Sequence, residues 1–271
     1  MSPDQQESNA PEADEAPILY EVSGGVATIT LNMPDRKNSL SDTLVGSLSA
    51  TLDRAIDDAE ARVIVLTNAG NTFCAGADLK SDRPGVAGTD DSAEKRSFVD
   101  VFQQILGSPK PVVGRINGHA TGGGVGLVAA CDISVMRNDA KIGFTEVRIG
   151  VAPAVISVVC LPKMNRADAS ELFLTGDRFT PDRAAQAGLI NRAVEPDALD
   201  ATVADFVDML VRGGPNALAA SKELINRVPQ MDVQEAFEWT TVRSRELFVS
   251  EEATVGIAAF RDRQTAPWVP Q

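Results

Sequence analysis

Side chains able to act as acids, bases or nucleophiles are unevenly supplied in this sequence. There is one histidine, His119, and one tyrosine, Tyr20. A histidine-activated nucleophile would have to use His119 itself, and a metal site built from several histidines is excluded. The three cysteines, Cys74, Cys131 and Cys160, are odd in number and lack metal-site spacing. With no signal-peptide pattern at the start, they read as reduced thiols of a cytoplasmic protein. Chemistry therefore falls to carboxylates and to backbone dipoles.

Two small-residue segments could supply such dipoles. Phe73-Cys-Ala-Gly-Ala-Asp-Leu79 follows an apolar run at 62–66, and Asn117-Gly-His-Ala-Thr-Gly-Gly-Gly-Val-Gly126 follows another at 112–116. A loop that leaves a strand and enters a helix exposes free N–H groups at the positive end of the helix dipole. Such groups cradle a phosphate or converge on a carbonyl oxygen as an oxyanion hole. Gly124-Val-Gly-Leu-Val-Ala129 also fits the dinucleotide fingerprint, with Glu146 about 20 residues on. Residues 117–121 intervene between strand and first glycine, however, and the segment comes late in the chain, so that reading is disfavoured. Taken alone, Gly122–Gly124 equally suit close packing.

The elements that would hold these loops can be read from periodicity. Ile18–Val22 and Val26–Leu31 form two strands around a Gly24-Gly25 turn. Leu44, Leu48, Leu52 and Ile56 make one helical stripe. The runs at 62–66, Val112–Ile116 and Ile133–Met136 read as buried strands. Phe98, Val101, Phe102 and Ile105 mark a helix that ends before Pro109 and Pro111. From about Ala167 onward the pattern is almost wholly helical. Alternating strands and helices followed by a helical layer predict an α/β core with a helical C-terminal region.

Length and composition bound the rest. The chain has 271 residues, 44% hydrophobic and 23% charged, with a formal net charge of −13. That is an ordinary globular composition, without the roughly 20 consecutive apolar residues that span a bilayer. The acidic balance argues against nucleic acid and anionic membrane as partners. Residues 1–16 carry five acids and no base and read as a disordered tail. The division expected is tail 1–16, α/β core 17–200 and helical region 201–271.

Several motifs together resemble the crotonase superfamily, the enoyl-CoA hydratase/isomerase fold. Beside the two loops stand Leu31-Asn-Met-Pro-Asp-Arg-Lys-Asn-Ser-Leu40, Cys131-Asp132-Ile133, Leu174-Thr-Gly-Asp-Arg-Phe-Thr180 and Ala184–Gly188. The resemblance runs over about residues 17–265. It implies a crotonase-like ββα spiral core and a C-terminal trimerisation region, in a homotrimer or a hexamer made of paired trimers. It also implies an acyl-CoA thioester substrate of fatty acid metabolism, with coenzyme A as part of the substrate and no separate cofactor or metal. By position, the N–H groups of Ala77 and Gly123 would hold the thioester oxygen. Ala75, Ala77, Asp78, Leu79 and Lys80 would line the CoA site, with Arg36 and Lys37 beside the nucleotide as local positive charge.

The carboxylates would decide the reaction. Hydratases of this family usually carry two glutamates, and the first falls on Gly126, where it is missing. The second is present as Glu146, among apolar neighbours that would raise its pKa for acid–base work. Addition of water is easiest with two carboxylates orienting it, whereas a 1,3 proton shift needs one. The pattern thus favours Δ3,Δ2-enoyl-CoA isomerisation by Glu146. The alternative is an enoyl-CoA-binding homologue with weak or different activity, a thioesterase for example. A glutamate restored at Gly126 is expected to raise hydration relative to isomerisation, at some cost in stability. His119 reads as structural.

Overall fold

The computed structural model describes residues 16–79 and 96–269. Lys80 and the acidic stretch up to residue 15 lie outside them. The chain begins with a hairpin, β1 (Ile18–Ser23) and β2 (Val26–Leu31), paired antiparallel from Ile18↔Leu31 to Ser23↔Val26. Helix α1 (Asp42–Asp57) follows, capped by Ser41, whose hydroxyl accepts from the Leu44 N–H. Its stripe Leu44, Leu48 and Leu52 is fully buried, as the spacing predicts.

A two-storey pattern then repeats. Strand β3 (Val63–Asn68) is followed at once by short β4 (Thr72–Cys74), then helix α2 (Phe98–Gly107). Strand β5 (Val112–Ile116) is followed by β6 (His119–Thr121) and helix α3 (Gly123–Ala130). Strand β7 (Ile133–Arg137) is followed by β8 (Ile142–Gly143), then helices α4 (Ala154–Cys160), α5 (Arg166–Thr175) and α6 (Pro181–Gln186). Strand β9 (Arg192–Val194) closes the large sheet, in the order β1-β2-β3-β5-β7-β9, parallel from β2 onward. The short strands make a second parallel sheet, β4-β6-β8. This is the ββα spiral. The second sheet and β9 have no sequence signature, because strands of two or three residues are too short to show alternation.

All six residues of β3 are buried, since both faces of the large sheet are covered. On one face Ile64 and Leu66 join the core with α1, α2 and α3. On the other, Val63, Val65, Val113 and Val135 pack under Leu199, Val203 and Val211 of helix α7 (Leu199–Val211). Helix α3 is apolar on every side and buried from Gly124 to Ala130.

Helices α8 (Pro215–Arg227), α9 (Val233–Phe248) and α10 (Glu251–Arg261) complete the chain. Helix α8 is tied to the core by Lys222, whose ammonium pairs with Asp132 at 2.7 Å and donates to the Ile105 carbonyl at 2.7 Å. Helices α9 and α10 bury none of their residues. Phe237, Phe248 and Phe260 stand 69%, 72% and 85% exposed. No helix among the described residues is long and apolar enough to cross a membrane.

Candidate active site

The site starts at the loop between β2 and α1. Lys37 and Asn38 both adopt the left-handed region, φ 54° and 49°, which Asn tolerates better than most residues. The Asn38 side chain is fully buried. Its Nδ2 donates to the carbonyls of Thr72 at 2.8 Å and Ala69 at 3.2 Å, and its Oδ1 accepts from the Met33 N–H at 2.7 Å. This amide locks the first loop onto the chain leaving β3 and entering β4. The Ala75 N–H then donates to the Lys37 carbonyl at 3.0 Å, and the Leu40 N–H to the Gly76 carbonyl at 2.8 Å. The segment 75–77 is therefore held by backbone bonds on one side.

On its other side it meets the glycine triplet. Gly76 has φ 82°, and a Cβ there would lie 2.8 Å from the Thr121 carbonyl oxygen and 3.0 Å from the Gly123 nitrogen. The Thr121 hydroxyl donates to the Ala75 carbonyl at 3.1 Å. Gly122, with φ 53°, caps α3, and Gly123 opens it. Among the described residues, the N–H groups of Ala77 and Gly123 donate no hydrogen bond. The first N–H groups of a helix have no intrahelical acceptor, and the helix dipole adds positive potential there. Two donors from adjoining loops can thus serve one developing oxyanion.

Glu146 faces this junction. It opens a 3-10 turn, Glu146–Ile149, that stops at Gly150, φ 81°. A carbon on Gly122 would sit 3.3 Å from Glu146 Oε1 and 3.9 Å from the Gly76 Cα. Glu146 Oε2 is buried with no hydrogen-bond partner. Burial pushes the carboxyl pKa above the ordinary glutamate value, against a smaller opposing pull from its own backbone N–H. A carboxylate left underbonded in an apolar setting is a competent proton acceptor near neutral pH.

The other sequence-derived residues are placed as follows. Arg36 is 54% exposed and pairs with Asp78 at 3.0 Å. Lys37 is exposed, and its carbonyl holds Ala75. Leu79 is exposed beside Ala77, and Lys80 lies outside the described residues. His119 accepts from the Lys141 N–H through Nδ1 at 2.9 Å, tying β6 to the turn before β8. No local pattern in the sequence assigns a role to Asn38, Leu40 or Thr121. The Asn38 signal was weak: a polar residue in a polar loop, whose partners lie more than 30 positions away.

Gly126 is closely packed, which accords with the stability cost expected of a glutamate there. Its Cβ would lie 2.5 Å from Ile156 Cγ2 and 2.7 Å from Phe102 Cζ. A glutamate there is not a simple restoration, because α4 and α2 already fill the space its side chain would need. Two clefts elsewhere lack comparable convergent polar groups. One of about 360 Å³ lies among α8, α10 and Trp268, where Glu252 already accepts from the Asn216 and Ala217 N–H groups at 2.9 Å each. Another of about 420 Å³ lies between Met164 and Phe173. Among the described residues, His, Cys, Asp and Glu form no cluster suited to a metal ion.

Comparison with known proteins shows the family. The family described as enoyl-CoA hydratase/isomerase matches residues 21–271. The chain belongs to the enoyl-CoA hydratase/isomerase family. An (E)-benzylidenesuccinyl-CoA hydratase of Thauera aromatica is 30% identical over 253 residues, covering 92% of this chain and 97% of the relative. A short-chain-enoyl-CoA hydratase of Clostridium acetobutylicum is 29% identical, covering 91% and 95%. A crystal structure of an enoyl-CoA hydratase from Shewanella pealeana superposes with a TM-score of 0.85 at 26% identity, covering 94% of this chain and 97% of that one. The two-sheet spiral with a helical C-terminal region is the crotonase fold, and an acyl-CoA substrate follows from membership of the family.

Proposed function

We propose that this member of the enoyl-CoA hydratase/isomerase family moves a proton between C2 and C4 of an enoyl-CoA thioester, with Glu146 as the sole acid–base group. The Ala77 and Gly123 N–H groups receive the thioester oxygen. Glu146 removes a C2 proton from the 3-enoyl thioester, and the electron pair spreads over the dienolate with negative charge on that oxygen. The Glu146 carboxyl returns the proton to C4, the C2=C3 bond forms, and the carboxylate is regenerated. Fixed dipoles aimed at the oxygen favour the charged transition state over the neutral ground state.

One observation carries this reading: the underbonded Glu146 carboxylate faces the junction of the two donor loops, while the position of the family's first glutamate is a glycine packed under hydrocarbon. Hydration is the competing outcome, supported by the hydratase names of relatives. Incubation with 2-enoyl- and 3-enoyl-CoA thioesters, with products identified by mass and NMR, separates the two. Interconversion of the positional isomers supports proton transfer. Efficient formation of 3-hydroxyacyl-CoA without isomerisation overturns it.

The CoA moiety would lie along Ala75–Leu79 and Lys80, with Arg36 and Lys37 supplying positive charge beside its phosphates. We also propose a cytoplasmic homotrimer, or paired trimers, in which copies of this chain cover the apolar side chains of α9 and α10.

A further inference from the structure

The turn that carries Glu146 is seated on the end of helix α5. Gly176 caps that helix in the left-handed region, φ 65°. A Cβ on Gly176 would lie 2.5 Å from Val147 Cγ2 and 3.2 Å from Arg148 Cγ. The Arg148 guanidinium pairs with the Asp177 carboxylate. Val147 and Arg148, the two residues after Glu146, thus both bear on the end of α5. The chain entering the turn bears on the same segment. Ile142 and Phe179 exchange backbone hydrogen bonds of 3.1 and 2.8 Å. A Cβ on Gly143 would lie 3.0 Å from both the Asp177 carbonyl oxygen and the Arg178 Cα. The Phe144 ring packs on Phe173 and Phe179, with centroids 4.1 and 6.1 Å away. Gly143 also reaches the glycine triplet, since its carbonyl accepts from the Gly122 N–H at 3.1 Å.

We infer that Gly176 and Asp177 are positioning residues for Glu146, fixing its turn so that the carboxylate stays at the junction of the two donor loops. This rests on the reading of Glu146 as the acid–base group. The turn has little of its own to hold it. No residue of Glu146–Ile149 is fully buried. Its backbone bonds are short-range, Arg148 N–H to the Thr145 carbonyl at 3.1 Å and Gly150 N–H to the Val147 carbonyl at 3.3 Å. Nor is the carboxylate tied down at Oε2, which has no hydrogen-bond partner. A carboxylate that accepts strong hydrogen bonds becomes a weaker base. Orientation through the backbone is the arrangement that leaves Glu146 basic. The segment Leu174–Thr180 supplies it, with Gly176 as the seat for Val147 and Asp177 as the tie to Arg148.

The test compares kcat, KM and melting temperature of full-length variants, on whichever of the 2-enoyl- and 3-enoyl-CoA thioesters the wild type converts. Gly176→Ala lowers kcat by about 10–100-fold, the cost of misplacing a reacting group by about 1 Å. KM changes far less, because the Ala77 and Gly123 donors stay in place. Adding Val147→Ala removes the methyl group that the new Cβ meets. The double variant recovers the kcat of Val147→Ala alone but not the melting temperature, because the left-handed conformation at 176 still carries a side chain. Asp177→Ala breaks an exposed ion pair, so it shifts the melting temperature by at most about 4 °C. It nevertheless lowers kcat by about threefold or more, through a looser turn. It also decides the inference if Gly176→Ala does not fold. Unchanged kcat in Asp177→Ala or in folded Gly176→Ala, or a loss in Gly176→Ala that Val147→Ala does not relieve, overturns it. Failure of the Glu146 reading shows separately, as turnover that survives in Glu146→Gln.

Discussion

Glu146 Oε1 lies 3.3 Å from the point where a side-chain carbon on Gly122 would begin, and Gly122 itself holds φ 53° and ψ −126°. The glycine is thus required twice, by its backbone conformation and by the carboxylate in front of it. Gly122→Ala should lower stability by about 1–3 kcal/mol from backbone strain alone. It should lower kcat as well, because the added methyl displaces Glu146. Thermal denaturation with steady-state kinetics on an enoyl-CoA checks both; unchanged kcat in a destabilised variant would separate Gly122 from the chemistry.

Glu146→Gln keeps the side chain's size and removes its ability to take a proton. Turnover should fall by about 10²–10⁴-fold, the usual contribution of an acid–base group. Affinity for the CoA thioester, measured by calorimetry, should be retained, because the Ala77 and Gly123 donors are untouched. Retention of more than about a tenth of wild-type kcat would remove Glu146 from the mechanism.

The raised Glu146 pKa has a signed consequence for pH. As the base, Glu146 must be ionised, so kcat/KM should rise with pH through a pKa above the ordinary glutamate value of about 4.3. Stability runs the other way. Ionisation is disfavoured in the folded state, so the contribution of Glu146 is fully present below the unfolded pKa and is lost as pH rises through the folded pKa. The melting temperature of Glu146→Gln relative to wild type should therefore increase across that interval and stay level above it. A constant difference at all pH values would mean that burial does not shift this carboxyl.

Asn38, itself fully buried, makes three hydrogen bonds that fix its own loop and tie it to the chain between β3 and β4. Asn38→Ala should cost about 2–4 kcal/mol, since buried donors and acceptors are left without partners. It should also reduce kcat, because the segment carrying the Ala77 N–H loses its anchor. Denaturant unfolding and kinetics read the two effects.

Phe237, Phe248 and Phe260 expose large apolar side chains on helices that bury nothing, an arrangement expected of a protein interface. Light scattering at micromolar concentration should give three or six times the monomer mass. Phe248→Asp with Phe260→Asp should reduce it. A monomeric wild type would overturn the proposed trimer.

The helical stripe of α1, the buried strands and the two glycine-bearing loops were legible in the sequence, because each reports on its own neighbours through periodicity or turn chemistry. So were the candidate residues Ala77, Gly123 and Glu146, through motifs short enough to stay contiguous. Other features were settled only by packing. The sheet β4-β6-β8 unites strands of two or three residues that pair across long separations. Asn38 acquires its role from carbonyls that folding brings to it. Arg36, which by type was a free cation for phosphate, is paired with Asp78. Gly126 read as a missing glutamate, and only the tertiary structure put Ile156 and Phe102 against it. The physical reason is range: backbone propensity and side-chain period act within one element, whereas space at a residue is decided by what other elements bring to it.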